Sequence, residues 1–306
     1  MHEPPIEPGA STQPLAGCDS ALGHRFTHRA MACEFELVLL TDSARYAAQA
    51  ARAIFDEIDR LESQLSRFRP ASDIARIDAL QPGEAVRIGP AAFDCLTLAC
   101  ELYVDTGGAF DITAGSKPPG GGSGMQHLGL NPERCCAGVT APGVRLDLGG
   151  LGKGYALDRA AALLRDWSIP AARLHAGQST VLGLGAPPGQ RGWRIALRNP
   201  ETGQPAAPLA TVTLCNRAIS GSDSLLQPGH ILDPRTGAAA EGKLGAWALA
   251  PSAARSDGLS TAFFIMPVDE VRACCAAHND VGAILLWREG DDRVRCAWGL
   301  TGLDTS

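Results

Sequence analysis

The stretch that most restricts how this chain can fold is Leu146 to Asp158, LDLGGLGKGYALD, where a short apolar run meets glycines at 149, 150, 152 and 154 before a helical pattern begins. Without a Cβ, glycine lets a chain turn sharply or bring its backbone close to another group, so the segment reads as apolar strand, tight turn and helix start. A helix opening there presents free N–H groups that suit a phosphate. A turn built only for close packing has the same composition, so both readings stand. The pattern is neither a P-loop, which needs Lys followed by Ser or Thr, nor G-x-G-x-x-G.

Around that turn, periodicity predicts a strand from Glu34 to Leu40 and a helix from Ser43 to Leu65, with Ala47, Ala50, Ala51, Ile54, Ile58, Leu61 and Leu65 forming a core stripe. Further helices are expected over Pro90 to Thr106, from Lys153 to Trp167, and over Ser252 to Phe264. Lys117 to Gly124, KPPGGGSG, reads as a flexible connection. Strand candidates follow at Trp193 to Leu197, Ala210 to Leu214, Gly245 to Leu249 and Gly282 to Trp287. Strands and helices that do not alternate strictly point to an α+β fold and away from a doubly wound parallel sheet. Residues 1–24, rich in Pro, Gly and Ser, are expected to be a disordered leader, with one domain over 25–306.

A chain of 306 residues with 45% hydrophobic composition can bury a large core. Its net charge of −6 and lack of Lys/Arg runs argue against a nucleic-acid partner. No apolar stretch approaches the roughly 20 residues a membrane span requires. Leu15-Ala16-Gly17-Cys18 looks like a lipoprotein cleavage box, but the preceding residues carry neither a basic start nor an apolar stretch, so a cytoplasmic protein is expected. The ten cysteines include no C-x-x-C, which suggests reduced thiols and gives no sign of a zinc site.

Four other segments carry candidate chemistry. Asp257 and Thr261 lie four residues apart, so on a helix they share a face, and a carboxylate with a hydroxyl is hard-oxygen ligation of the kind Mg²⁺ takes. An Asp in a first helical turn with a packed Thr is the structural alternative. In GHILDPRTG, His230 precedes a short apolar pair and a turn; it can serve as acid, base or phosphate partner, or be structural, and Asp233 with Arg235 can be a local ion pair. Gly107 to Thr113, GGAFDIT, places a ring and a carboxylate after a helix end, where a C-cap followed by a strand is the plain reading. Ser66 to Pro70, SRFRP, sets two arginines at the close of the first long helix.

Taken together and in this order, SRFRP, GGAFDIT, LDLGGLGKGYALD, HILDPRTG and SDGLSTAFF resemble the ApbE-like FAD:protein FMN transferases, from about Met31 to Phe264. The resemblance implies a two-lobed, T-fold-like α+β architecture with FAD in the cleft. It implies that Met31, Phe68, Ala109, Phe110, Asp111, Asp147, Lys153 and Ile231 line the FAD site, that Mg²⁺ is held by Asp257, Thr261 and the carbonyl of Gly150, and that His230 is the candidate catalytic residue. The implied partners are FAD and an acceptor protein, and the implied reaction moves FMN to a Ser or Thr hydroxyl with loss of AMP.

Three stretches depart from the family's habit. Where it usually has Gly-Gly-Asp after the strand following the KGYA helix, His175-Ala176-Gly177 leads into Gln178-Ser179-Thr180; its Thr-Ser-Gly-Asp-Tyr appears as Ile219-Ser220-Gly221-Ser222-Asp223, with a very short connection to His230; and the segment between Phe110 and Asp147 is shorter. They leave two alternatives to transfer: a Mg²⁺-dependent FAD pyrophosphatase, and a catalytically silent FAD-binding protein.

Overall fold

The computed structural model describes residues 23–116, 118, 121–199, 208–223, 231–290, 292–299 and 303–304. It opens on a hairpin of β1 (Gly23–Ala30) and β2 (Cys33–Leu40), turning through Met31 and Ala32, both at positive φ (50° and 58°). Two such residues make the primed turn whose twist suits a tight hairpin. The sequence reading missed β1, because no Asn-Gly or Asp-Gly marks this turn. Residues 1–22 of the expected leader lie outside the described residues, whereas Gly23 and His24 begin β1.

The first long helix, α1 (Ala44–Leu65), is capped by Ser43, whose Oγ accepts the Tyr46 N–H at 3.2 Å, and it buries the expected stripe. After it come α2 (Asp73–Asp78), β3 (Ala85–Arg87), α3 (Pro90–Asp105), β4 (Leu128–Asn131) and β5 (Cys136–Val139). The turn helix is α4 (Gly152–Asp166), followed by β6 (Ala171–Ala176), β7 (Thr180–Leu184), β8 (Trp193–Leu197), β9 (Ala210–Leu214) and β10 (Arg217–Asp223). The chain continues through β11 (Lys243–Ala250), α5 (Ala253–Ile265), α6 (Val268–Ala277), β12 (Gly282–Glu289), β13 (Asp292–Trp298) and β14 (Leu303–Asp304).

Eight strands form the main sheet in the order β1-β2-β6-β7-β10-β11-β12-β13, flanked by three-stranded sheets ordered β14-β9-β8 and β3-β5-β4. Every strand pair is antiparallel, as an α+β reading expects. One face of the main sheet is covered by helices in a core that includes Phe35, Leu37, Ile54, Leu157, Phe263 and Leu285. The opposite face packs Val181, Ile219, Trp247 and Ile284 against Trp193, Ile195, Val212 and Leu214 of the β8–β9 sheet. Covered on both faces, β7 is buried at every position, which is why TVLGL shows no alternation.

Candidate active site

Leu146 to Leu148 is not the expected strand. It pairs with no strand among the described residues, and its hydrogen bonds run to a side chain and a loop: Leu146 N–H donates to Asp78 Oδ1 at 2.9 Å and Asp147 N–H to the Ile112 carbonyl at 2.7 Å. Gly149 N–H then closes onto Asp147 Oδ1 at 2.8 Å, and α4 begins at Gly152 with no side-chain cap. The glycines here are required by proximity. A Cβ on Gly154 would stand 2.3 Å from the Ala253 carbonyl oxygen, and one on Gly150 would meet Phe110 at 3.3 Å and Thr261 Oγ1 at 3.4 Å. The start of α4 therefore lies directly against the start of α5.

That contact brings together two segments a hundred residues apart. Asp257, on α5, is buried, and its Oδ2 accepts the Gly154 N–H at 3.4 Å while Oδ1 accepts the Thr180 hydroxyl at 3.2 Å. Lys153 Nζ donates to the Gly149 carbonyl at 2.6 Å and stands 3.9 Å from Asp257 Oδ2. Thr261, one turn beyond Asp257, borders the same cleft. The pair expected to share a face does so, next to Gly150. Asp158 holds the assembly from α4: its carboxylate accepts Ser252 Oγ at 2.8 Å, Ala253 N–H at 2.7 Å and Ala254 N–H at 2.9 Å, all at the opening of α5. Burial pushes its carboxyl above the usual range, opposed by these three bonds.

The cleft, about 1250 Å³, is bordered by Phe68, Ala109, Phe110, Asp111, Asp147, Gly150, Lys153, Ile231, Asp257 and Thr261. Met31 is the exception among the expected residues. It sits in the hairpin turn, packs on the main core and donates its N–H to Glu62 Oε1 at 3.1 Å, while its neighbours Ala32 and Cys33 reach the cleft. Phe68 is 81% exposed at the mouth, with the Arg67 guanidinium 4.8 Å from its ring centroid and Arg67 paired to Asp147 at 3.1 Å. An exposed ring so placed is open for a planar ligand to stack on. Asp111 is heavily engaged: Thr113 N–H (2.6 Å) and Oγ1 (2.5 Å) donate to one oxygen, and Ser123 Oγ (2.6 Å) to the other. The segment after GGAFD is a run of turns, not a strand, and these bonds fold it.

His230 lies outside the described residues, as do Lys117, Pro119 and Gly120 of the expected connection. Downstream of His230, Asp233 and Arg235 form the local ion pair at 3.0 Å, which lowers the Asp233 carboxyl below its ordinary value. Sequence reasoning met His175 and Gln178 only as part of a departure from the family's pattern and missed Arg198; all three border the cleft beyond the metal candidates. Arg198 donates to Asp223 at 2.8 Å and to Gln178 at 3.5 Å. The buried Nε2 of His175 has no hydrogen-bond partner, and burial together with the Arg173 charge lowers its pKa to about 4. No local pattern marks these residues, since strands distant in sequence assemble them. Cys33 also borders the cleft, its thiol pushed up by burial and so kept protonated.

An uncapped helix start behind a glycine turn, a buried carboxylate and hydroxyl beside it, a lysine and a ring at the mouth together define an α+β protein with a cleft suited to a phosphorylated, aromatic ligand. The ApbE family model matches residues 31–117 and 122–285, and the chain belongs to that family. Among similar curated proteins are FAD:protein FMN transferases of Treponema pallidum, 26% identical over 84% of this chain and 83% of that protein, and of Klebsiella pneumoniae, 27% identical over 83% and 81%. Solved structures of the same fold include the flavin transferase ApbE from Vibrio cholerae, with a TM-score of 0.77, 20% identity and coverage of 91% of this chain and 97% of that one. Another is the apo flavinyl transferase ApbE of Pseudomonas stutzeri, with a TM-score of 0.78, 23% identity and coverage of 90% and 94%.

Proposed function

We propose that this chain transfers FMN from FAD to a Ser or Thr hydroxyl of an acceptor protein, releasing AMP, with Mg²⁺ as the required ion. The observation that carries the reading is the convergence of Gly150, Asp257, Thr261 and Lys153 in one cleft with Phe68 and Asp147, in a chain of the ApbE family.

The residues fit the ion. Asp257 spends one hydrogen bond on each carboxylate oxygen, leaving lone pairs for a cation, and Thr261 Oγ1 and the Gly150 backbone lie close by. Among the described residues no group of three or more His, Cys, Asp or Glu could hold a metal, so the proposed site relies on one carboxylate with neutral oxygens, as suits Mg²⁺ also bound to phosphate. When bound, Mg²⁺ neutralises charge that builds on the phosphates.

The chain supplies the rest. Thr180 and Gly154 orient Asp257, and the Gly149 carbonyl holds the Lys153 ammonium where a pyrophosphate can meet it. The exposed ring of Phe68 offers a stacking surface, and buried Phe110 walls the site from water. We assign His230 the proton of the acceptor hydroxyl or a phosphate contact. The FAD-lining role is proposed for Phe68, Ala109, Phe110, Asp111, Asp147, Lys153 and Ile231, with Met31 acting through the hairpin that carries Ala32 and Cys33. A reducing, cytoplasmic setting is part of the proposal. Among the described residues no helix is long and apolar enough to cross a membrane.

Incubation with FAD, Mg²⁺ and an acceptor domain bearing a flavinylation-type Ser/Thr motif tests the reading. A fluorescent acceptor band on a denaturing gel with AMP released is expected. AMP without a band identifies a pyrophosphatase. Flavin binding with neither product identifies a silent binder.

A further inference from the structure

The cleft extends past the candidate metal site along β8. Ile195, Ala196, Leu197 and Arg198 all border it. Successive strand residues point to opposite faces, so a cavity that touches four in a row meets the strand's edge. That edge has no strand on it among the described residues: β8 ends its sheet and pairs only with β9. The burial of β8 alternates, with Trp193, Ile195 and Leu197 buried and Arg194 and Ala196 exposed, so its inner face is already satisfied. What the cleft side offers is backbone N–H and C=O, the template an extended peptide completes.

The edge is linked to the reacting end of the cleft by short contacts. Arg198, just past β8, donates to Asp223; the neighbouring Ser222 hydroxyl is 3.1 Å from Ser260 Oγ; and Ser260 lies on α5 between Asp257 and Thr261. Size points the same way. Small-molecule sites usually occupy about 300–1,000 Å³, and this cleft is about 1250 Å³. One wing, from Phe68 to Lys153, is shaped for the nucleotide. The other leaves room for a second reactant.

We propose that the acceptor protein docks by adding an extended segment to the free edge of β8, its backbone pairing with the strand while the hydroxyl residue reaches toward Asp257 and Thr261. This rests on the transferase reading and names how its second substrate is recognised: mainly through backbone, with Arg198 and Gln178 at the end of the track reading side chains. Strand addition draws affinity from main-chain bonds.

The test uses the full chain with FAD, Mg²⁺ and an acceptor domain whose flavinylated Thr is replaced by Val, so that it binds without reacting. Amide hydrogen exchange over residues 194–198 is expected to slow at least about tenfold on adding the acceptor. In parallel, Ile195→Pro and Ala196→Pro each remove one N–H, and adjacent N–H groups point to opposite edges. One variant breaks the β9 ladder and loses stability. The other is expected to fold, release AMP from FAD without acceptor at the normal rate, and show an acceptor KM raised about tenfold or more. Unchanged exchange over 194–198 while the Thr-bearing acceptor is flavinylated normally overturns the docking mode alone, as does a folded edge variant with normal acceptor KM. No flavinylation of the Thr-bearing acceptor by the unmodified chain overturns the transferase reading, and the docking falls with it.

Discussion

Asp158 gives the sharpest check on how the site is held. Its carboxylate ties the first turn of α5 to α4 by three hydrogen bonds from Ser252, Ala253 and Ala254. Ala253 and Ala254 are 0% and 1% exposed, so without Asp158 their N–H groups have poor access to water. Each buried unpaired donor costs about 1–3 kcal/mol. Asp158→Ala is therefore expected to lower stability by roughly 3–5 kcal/mol, the two amides setting most of that figure and lost packing the rest. Asp158→Asn keeps one acceptor oxygen and removes a charge that burial disfavours, but its NH2 leaves at least one of the two buried N–H groups unpaired, so its cost is about 1–3 kcal/mol, less than that of alanine. Urea unfolding followed by circular dichroism measures both. Because Asp257 and Thr261 stand in the next turns of α5, Mg²⁺-dependent FAD binding, followed by flavin fluorescence, should weaken in the alanine variant and persist in the asparagine one. An alanine variant with a wild-type unfolding midpoint, or an asparagine variant as unstable as the alanine one, refutes the reasoning.

Asp257→Ala should leave circular dichroism unchanged and reduce AMP release from FAD by about 100-fold or more; full activity would remove the metal assignment. Gly154→Ala forces a Cβ to within 2.3 Å of the Ala253 carbonyl, so the two helices must separate. A loss of about 3 kcal/mol or more is expected in urea unfolding, at the upper end of overpacking costs. His175 predicts a pH dependence. Its pKa is about 4 when folded against 6.5 for the free side chain, so between those values the unfolded state binds the proton first. Its contribution is complete above about pH 6.5 and declines, by at most about 3 kcal/mol, as pH falls to about 4. Comparing unfolding midpoints at pH 7 and pH 4.5 checks this: His175→Gln should lose less stability on acidification than the parent, and an equal loss would contradict it.

The long helices were legible because their causes are local. The α1 stripe, the Ser43 and Ser252 caps and the Pro90 helix start all follow from spacing and side-chain chemistry within a few residues. So did the pairing of Asp257 with Thr261, since four residues on a helix place two groups on one face whatever surrounds them. The strand expected at Leu146 failed because an apolar run does not decide whether a partner strand is present; here Asp78 and Ile112 take the hydrogen bonds. β7 was overlooked for the opposite reason: with both faces covered, it has no alternation to detect. By itself the sequence determined the four longest helices, the α+β class and the residue types able to hold a metal and a phosphate. Only the tertiary structure decided that Gly154 packs on Ala253, that Thr180 faces Asp257, and that Arg198, Gln178 and the edge of β8 share their cleft. These contacts join residues far apart in the chain, and such contacts are fixed by how sheets and helices stack, which no local spacing encodes.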